Sequence, residues 1–135
     1  MISKVKVGKE IVVIAANKPG VLSSAAKLLS DRGINVTAIS AQIAGGVGLI
    51  NMVVDEHVRA VDLLEKNKYM VHENPVILAE VEDRPGALKY VAGRLAANKI
   101  DILNVYGSAA ETYGACLLVF STSSNQKALV ALKKN

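Results

Sequence analysis

Asn17-Lys18-Pro19-Gly20-Val21-Leu22 organises the chain, because its pattern returns later as Asp83-Arg84-Pro85-Gly86-Ala87-Leu88. Each copy follows an apolar run typical of a strand and precedes apolar residues at helical spacing. Proline fixes φ, and glycine accepts backbone dihedrals that other residues avoid, so each copy predicts a sharp strand-to-helix turn. The sequence therefore consists of two copies of one small unit.

The shift that carries Pro19 onto Pro85 aligns most of the chain, and at the level of sequence it needs no gap. It pairs Ile11 with Ile77, Leu29 with Leu95, Ile34 with Ile100, Gly48 with Gly114 and Val53 with Val119. The aligned positions are mainly aliphatic or glycine, and the chain contains one Phe and no Trp. We therefore expect two cores built from Val, Ile, Leu and Ala.

The first copy predicts the order strand, helix, strand, strand, helix and strand, and the second copy repeats this order as far as its second helix. In the first copy the predicted strands are 10–16, 34–43, 49–54 and 69–73, with helices after Gly20 and after Asp55. In the second copy the predicted strands are Val76 to Glu82, about Asp101 to Ser108, and Tyr113 to Phe120. A helix after Gly86 runs to about Asn98, and a last helix runs from about Ser123 to Lys133. This βαββαβ order indicates an α+β fold of two ferredoxin-like units, each an antiparallel sheet with its helices on one face.

The predicted domains are residues 1–73 and 74–135. The second copy lacks a counterpart to the strand 69–73, while the same shift aligns that strand with residues 3–7. We therefore predict that residues 3–7 complete the second unit, with Val5 and Val7 facing its core on the alternating pattern of a strand.

Composition excludes several classes of function. The formal net charge of +4 is spread along the chain rather than gathered in one stripe, which gives little support to a nucleic-acid partner. The single cysteine, Cys116, lies in an apolar run, and no apolar run approaches the length of a membrane span. With two histidines, His57 and His72, and no metal-ligand spacing, we expect no metal, no cofactor and no catalytic set. The sequence predicts a cytoplasmic, non-enzymatic protein without a membrane partner.

The repeated motif resembles the ACT domain, here in tandem over nearly the whole chain. It consists of a strand ending in Asn or Asp, then a cation, Pro-Gly, an aliphatic pair, a helix and an Ile-Asn or Ile-Asp strand start. The resemblance implies an allosteric regulatory module that binds a small ligand, commonly an amino acid, between paired domains. Relative to the family pattern, we expect this chain to have no attached catalytic domain and no last strand in the second copy.

The resemblance also indicates which residues would bind the ligand: Asn17, Lys18, Pro19, Gly20, Val21, Leu22 and Asn35 in the first copy, and Asp83, Arg84, Pro85, Gly86, Ala87, Leu88 and Asp101 in the second. Backbone N–H groups at the turns suit an α-carboxylate, and side-chain oxygens of Asn35, Asp83 or Asp101 suit an α-ammonium. Further contacts are open to Ser40, Gln42, Tyr106 and Ser108. The alternatives are that Pro-Gly only starts each helix, and that Asn35 and Asp101 only begin their strands.

Other proteins with this order of elements fit the residues less well. An acylphosphatase-like enzyme uses a glycine-rich phosphate loop with an arginine, whereas the loop here is not glycine-rich and Arg84 is matched by Lys18. An RRM-like RNA binder stacks bases on aromatic residues of its central strands, which this chain largely lacks.

Two functional hypotheses stay open. In the first, the chain is a free-standing amino-acid sensor that acts as a homo-oligomer, most simply a dimer. In the second, it is the regulatory subunit of a separate metabolic enzyme of amino-acid biosynthesis, such as an acetolactate-synthase-like partner.

Overall fold

A computed structural model describes residues 2–109 and 114–133, and within them the fold is α+β, as predicted. Six strands and four helices follow one another along the described chain: β1 (Ile2–Ala16), α1 (Val21–Ser30), β2 (Val36–Ala44), β3 (Val47–Val54), α2 (His57–Lys66), β4 (Met70–Glu82), α3 (Ala87–Ala97), β5 (Ile102–Ala109), β6 (Ala115–Thr122) and α4 (Asn125–Lys133). The prediction of two ferredoxin-like units is confirmed. Across these described ranges, no helix is both long enough and apolar enough to span a membrane.

The chain divides into two compact units, and each is assembled from two helices, two whole strands and parts of β1 and β4. One unit is Lys9–Asn74, and the other combines Met1–Gly8 with Pro75–Asn135. Strands β1 and β4 therefore contribute residues to both units. The strand order is β2-β3-β1-β4 in the unit Lys9–Asn74 and β1-β4-β6-β5 in the other.

In the unit Lys9–Asn74, α1 and α2 pack their apolar stripes on the sheet. Each helix buries an alanine and a leucine four residues apart, the spacing that places two side chains on one helical face. The fully buried residues of this core include Ile11, Val13, Ala25, Leu29, Ala60 and Leu64. These residues fix the position of α1, and hence of the turn that precedes it.

The core of the other unit is built around Phe120, the only phenylalanine of the chain, which is fully buried. Val5 packs against this core, but Val7 is 52% exposed, so the prediction that Val7 faces the core is wrong. The physical reason is that this part of β1 does not keep a strict two-residue alternation. Its partly buried residues are Ile2, Val5 and Gly8, which are three residues apart.

Strand register shows where the sequence alignment of the two copies fails. Ile11 pairs with Met52, and the shift that carries Ile11 onto Ile77 carries Met52 onto Leu118. Ile77 pairs instead with Phe120, two residues beyond Leu118. The predicted alignment of the two copies without a gap, which matches Val53 with Val119, is therefore wrong. Two additional residues lie in the connection between β5 and β6, where extra length leaves the core undisturbed. The predicted strand start at Tyr113 lies outside the described residues.

Candidate ligand site at the first strand-to-helix turn

The two Pro-Gly turns have nearly the same backbone geometry. Gly20 precedes α1 with φ +91°, and Gly86 precedes α3 with φ +93°, and neither helix has a side-chain cap. A Cβ added at either glycine would meet no atom within 4 Å. Glycine is therefore favoured at both positions by the positive φ and not by a lack of space. In α1 the first helical hydrogen bond runs from the Ser24 N–H to the Gly20 carbonyl oxygen, over 2.9 Å. The N–H groups before Ser24 therefore lack acceptors within the helix.

One side of the first turn faces the β2–β3 hairpin across a pocket of about 200 Å³, here called the hairpin pocket. Its polar members are Asn17, Lys18 and Gln42. The remaining lining residues are aliphatic or glycine: Ala15, Ala16, Val21, Leu22, Ala41, Ile43, Gly48, Leu49 and Ile50. The antiparallel register brings these segments together, because Leu49 pairs with Gln42 on one side and with Ile14 of β1 on the other.

The other side of the first turn borders a larger pocket of about 570 Å³, here called the lysine pocket. The lining residues come from the end of β1, the start of α1 and the segment that leads into β4: Ile14, Ala15, Ala16, Lys18, Pro19, Gly20, Val21, Ser24, Lys68, Tyr69 and Met70. Lys18 lines both pockets. Every predicted site residue of the first turn thus lines at least one of the two pockets.

The second turn has the same shape, but more of its backbone groups are already bonded. The Ala87 N–H donates to the Arg84 carbonyl oxygen over 3.1 Å, and the Asp83 N–H donates to the Gly114 carbonyl oxygen over 2.8 Å. Within residues 2–109 and 114–133, the Val21 N–H makes no corresponding hydrogen bond to the Lys18 carbonyl oxygen. The first turn therefore presents more free donors than the second.

Asn35 and Asp101 lie away from the turns of their own units. Each immediately precedes the strand that follows a helix. Because α1 has ten residues and is about 15 Å long, Asn35 and the turn lie at opposite ends of that helix. The Asn35 N–H donates to Asp55 Oδ1 over 3.0 Å, and the Asp101 N–H donates to Ser123 Oγ over 3.0 Å. Both residues therefore have a structural role at a strand start, and a ligand contact for either stays a prediction.

A histidine–carboxylate pair connects α2 to β4 in the unit Lys9–Asn74. His57 Nε2 lies 2.6 Å from Glu73 Oε1, and this hydrogen bond lowers the pKa of Glu73 below its ordinary value. His57 Nδ1 is buried without a partner in the described residues. The residues at 2–109 and 114–133 contain no cluster of three or more His, Cys, Asp or Glu side chains able to hold a metal ion.

The sequence did not predict the pocket-lining residues that lie outside the Pro-Gly turn. Ile43 and Leu49 in the hairpin pocket, and Lys68 and Tyr69 in the lysine pocket, were not among the predicted site residues. The hairpin residues had a signal, because the Gly45-Gly46 turn sets a register that places Leu49 opposite Gln42. No pattern in the sequence indicated Lys68, because its position depends on where α2 ends.

The first copy also matches a family model. Residues 11–68 match the AHAS small subunit-like ACT domain. Among curated proteins, none matches this sequence.

Solved structures share the fold over nearly the whole chain. A protein from Bacteroides thetaiotaomicron is 26% identical with a TM-score of 0.87, and the match covers 96% of this chain and 88% of that one. The regulatory subunit of aspartate kinase from Thermus thermophilus is 16% identical with a TM-score of 0.67, covering 97% and 95% of the two chains. The corresponding subunit from Thermus flavus is 16% identical with a TM-score of 0.63, with the same coverage. The two Thermus proteins show a likeness of fold alone.

Proposed function

We propose that the chain is a tandem ACT-domain protein with a regulatory fold, and that it binds a small amino acid in the hairpin pocket at its first Pro-Gly turn. Its matches are to regulatory rather than catalytic domains. In this proposal the protein is a non-enzymatic, cytoplasmic regulator, and ligand binding is its allosteric input.

The lining of the hairpin pocket suits the three parts of an amino acid. The free N–H groups at the start of α1, together with Lys18, provide donors and positive charge for an α-carboxylate. The amide oxygens of Asn17 and Gln42 can accept hydrogen bonds from an α-ammonium. The aliphatic lining, including Ile43 and Leu49, favours an apolar side chain.

The observation that carries the proposal is the hairpin pocket itself, where a Pro-Gly turn with free donors faces an aliphatic hairpin. Its volume of about 200 Å³ is below the range of about 300 to 1,000 Å³ typical of drug-sized ligands, and so favours a small one. The predicted site at the second turn stays part of the proposal, with weaker binding expected because the Ala87 N–H already has an acceptor.

A homo-oligomer, most simply a dimer, belongs to the same proposal. β2 lies at the edge of its sheet, and its nine residues include neither a charged residue nor a proline, the two features that usually protect an exposed edge from pairing. Sedimentation at micromolar concentration should therefore show a species larger than a monomer. A strict monomer would contradict this part of the proposal.

A second candidate function is supported by the family match. The matching model describes an ACT domain like that of the AHAS small subunit, which favours a role as the regulatory subunit of a separate enzyme of amino-acid biosynthesis, acetolactate-synthase-like. Purification of the tagged chain from native extract distinguishes the two candidates. A stoichiometric enzyme partner favours the regulatory subunit, and a homo-oligomer free of other proteins favours the sensor.

A thermal-shift screen of the common amino acids tests ligand binding directly. A ligand at about 100 times its dissociation constant stabilises the folded state by about 2.7 kcal/mol, which raises the melting temperature by several degrees. The Gln42→Ala variant should lose this shift. The matched control is Ser108→Ala, which should keep it, because Ser108 is the counterpart of Gln42 in the second copy: Gln42 pairs with Leu49, and Ser108 with Leu117. If no amino acid shifts the melting temperature, the proposal fails.

A further inference from the structure

The lysine pocket carries positive charge that nothing in its lining balances. Lys18 enters it from the first turn and Lys68 from the segment after α2, while no Asp or Glu lines it. In the described parts of the chain, neither lysine has a carboxylate within 4.0 Å. The volume of about 570 Å³ lies within the range of about 300 to 1,000 Å³ typical of ligand pockets.

Lys68 is positioned by the backbone at the end of α2. Its φ is +70°, in the left-handed region that favours glycine or asparagine at this position. The Lys68 N–H donates to the Glu65 carbonyl oxygen over 3.0 Å, and the next N–H, of Tyr69, donates to the Leu64 carbonyl oxygen over 3.1 Å. The chain therefore leaves α2 at a defined point, and Lys68 is placed at the pocket by a conformation that carries strain for any residue with a Cβ.

We propose that the lysine pocket binds a small phosphate monoester. Two lysines match the two negative charges of a phosphate monoester at neutral pH, and lysine binds phosphate well as a point charge. Ser24 and Tyr69 add hydroxyl donors, and the apolar residues of the lining, such as Met70, suit the organic part of the ligand. The same pair of charges opposes the ammonium group of an amino acid, so the pocket selects against the ligand proposed for the hairpin pocket.

The two pockets can be tested separately because each has residues that the other lacks. Lys68 lines only the lysine pocket, and Gln42 lines only the hairpin pocket. Lys18 lines both pockets, so the two ligands are distinguished by variants at Lys68 and at Gln42 rather than at Lys18. Loss of one activity leaves the other open to measurement.

The test is a titration of the ¹⁵N-labelled chain of residues 1–135 with glycerol 3-phosphate at low ionic strength, followed by NMR. We expect saturable changes in the amide signals of Gly20, Ser24 and Tyr69. The Lys68→Gly variant should bind about tenfold more weakly, because one charge-assisted contact is lost. Glycine adopts a positive φ without strain, so this variant should fold at least as well as the wild type.

The matched control is Lys99→Gly, because Lys99 also has a positive φ, of +57°, and lies outside the lysine pocket. This variant removes one positive charge and the same kind of strain, and should change the affinity by no more than about twofold, since distant exposed charges are largely screened. Equal losses in both variants would show a general attraction of anions to a positively charged chain and would overturn the proposal. Equal shifts with uncharged glycerol would overturn it as well.

Discussion

Adding one methyl group should have opposite effects at two glycines of this chain. Gly20 has φ +91°, and a Cβ there would meet nothing within 4 Å, so Gly20→Ala introduces backbone strain without a steric clash. A residue with a Cβ in the left-handed region costs about 1 to 2 kcal/mol, and the reduced freedom of the unfolded chain offsets about 0.4 to 1 kcal/mol of that cost. We therefore expect Gly20→Ala to lower the free energy of unfolding by about 1 kcal/mol.

Gly93 provides the control, because it lies inside α3 and a Cβ there would also meet nothing within 4 Å. Alanine is the better residue in a helix interior, so Gly93→Ala should raise the free energy of unfolding by about 0.5 to 1 kcal/mol. Urea unfolding of the two variants and the wild type measures both changes. The slope against urea concentration should stay the same, since neither variant changes the surface exposed on unfolding.

The reasoning is refuted if Gly20→Ala is as stable as the wild type, or if both alanine variants change stability in the same direction. An additional variant, Gly20→Asn, should be less costly than Gly20→Ala, because asparagine tolerates the left-handed region better than other residues with a Cβ. Reversal of that order would show that strain at Gly20 is not what the substitution measures.

Three further predictions concern the units themselves. A chain that starts at Lys9 should lose about 1 to 3 kcal/mol of stability, because apolar contacts of β1 with the core around Phe120 are removed; unchanged urea unfolding would contradict this. Hydrogen bonding to His57 lowers the pKa of Glu73 in the folded state below its unfolded value of 4.5. The Glu73 carboxylate therefore stabilises the fold fully above pH 4.5, and this stabilisation is lost as the pH falls through the pKa of Glu73 in the folded state. Glu73→Gln should weaken this acid dependence in pH-resolved melts, and an identical profile would count against the pair. Asp55→Ala should lower the free energy of unfolding in urea by about 1 kcal/mol, because the Asp55 carboxylate accepts a hydrogen bond from the Asn35 N–H.

The fold and the turns were predictable because they depend on patterns local in sequence. Pro-Gly after an apolar run predicts a strand-to-helix turn wherever it occurs, and its recurrence indicated two units before any contact was known. The register across the second hairpin was not predictable, because two extra residues in a connection leave the apolar pattern of the flanking strands unchanged. The exposure of Val7 had a similar cause, since an irregular strand breaks the alternation on which the prediction rested.

The candidate site was predictable only as a motif. The turn residues from Asn17 to Leu22 do line pockets, but the aliphatic wall and Lys68 come from segments distant in sequence. The difference between the two turns depends on single backbone hydrogen bonds, such as the one from Ala87 to Arg84, and the two motifs are too alike in sequence to reveal it. Bonds of this kind follow from the position of each loop against its own sheet.

Calorimetric titration of Gly20→Val and Gly86→Val, with whichever amino acid raises the melting temperature of the wild type, tests the central claim most directly. Valine at a left-handed position should distort the turn while its side chain extends into open space, so each variant should stay folded. We predict that Gly20→Val abolishes the high-affinity binding and that Gly86→Val retains it. Wild-type affinity and stoichiometry in Gly20→Val would contradict the claim that the first turn binds the ligand.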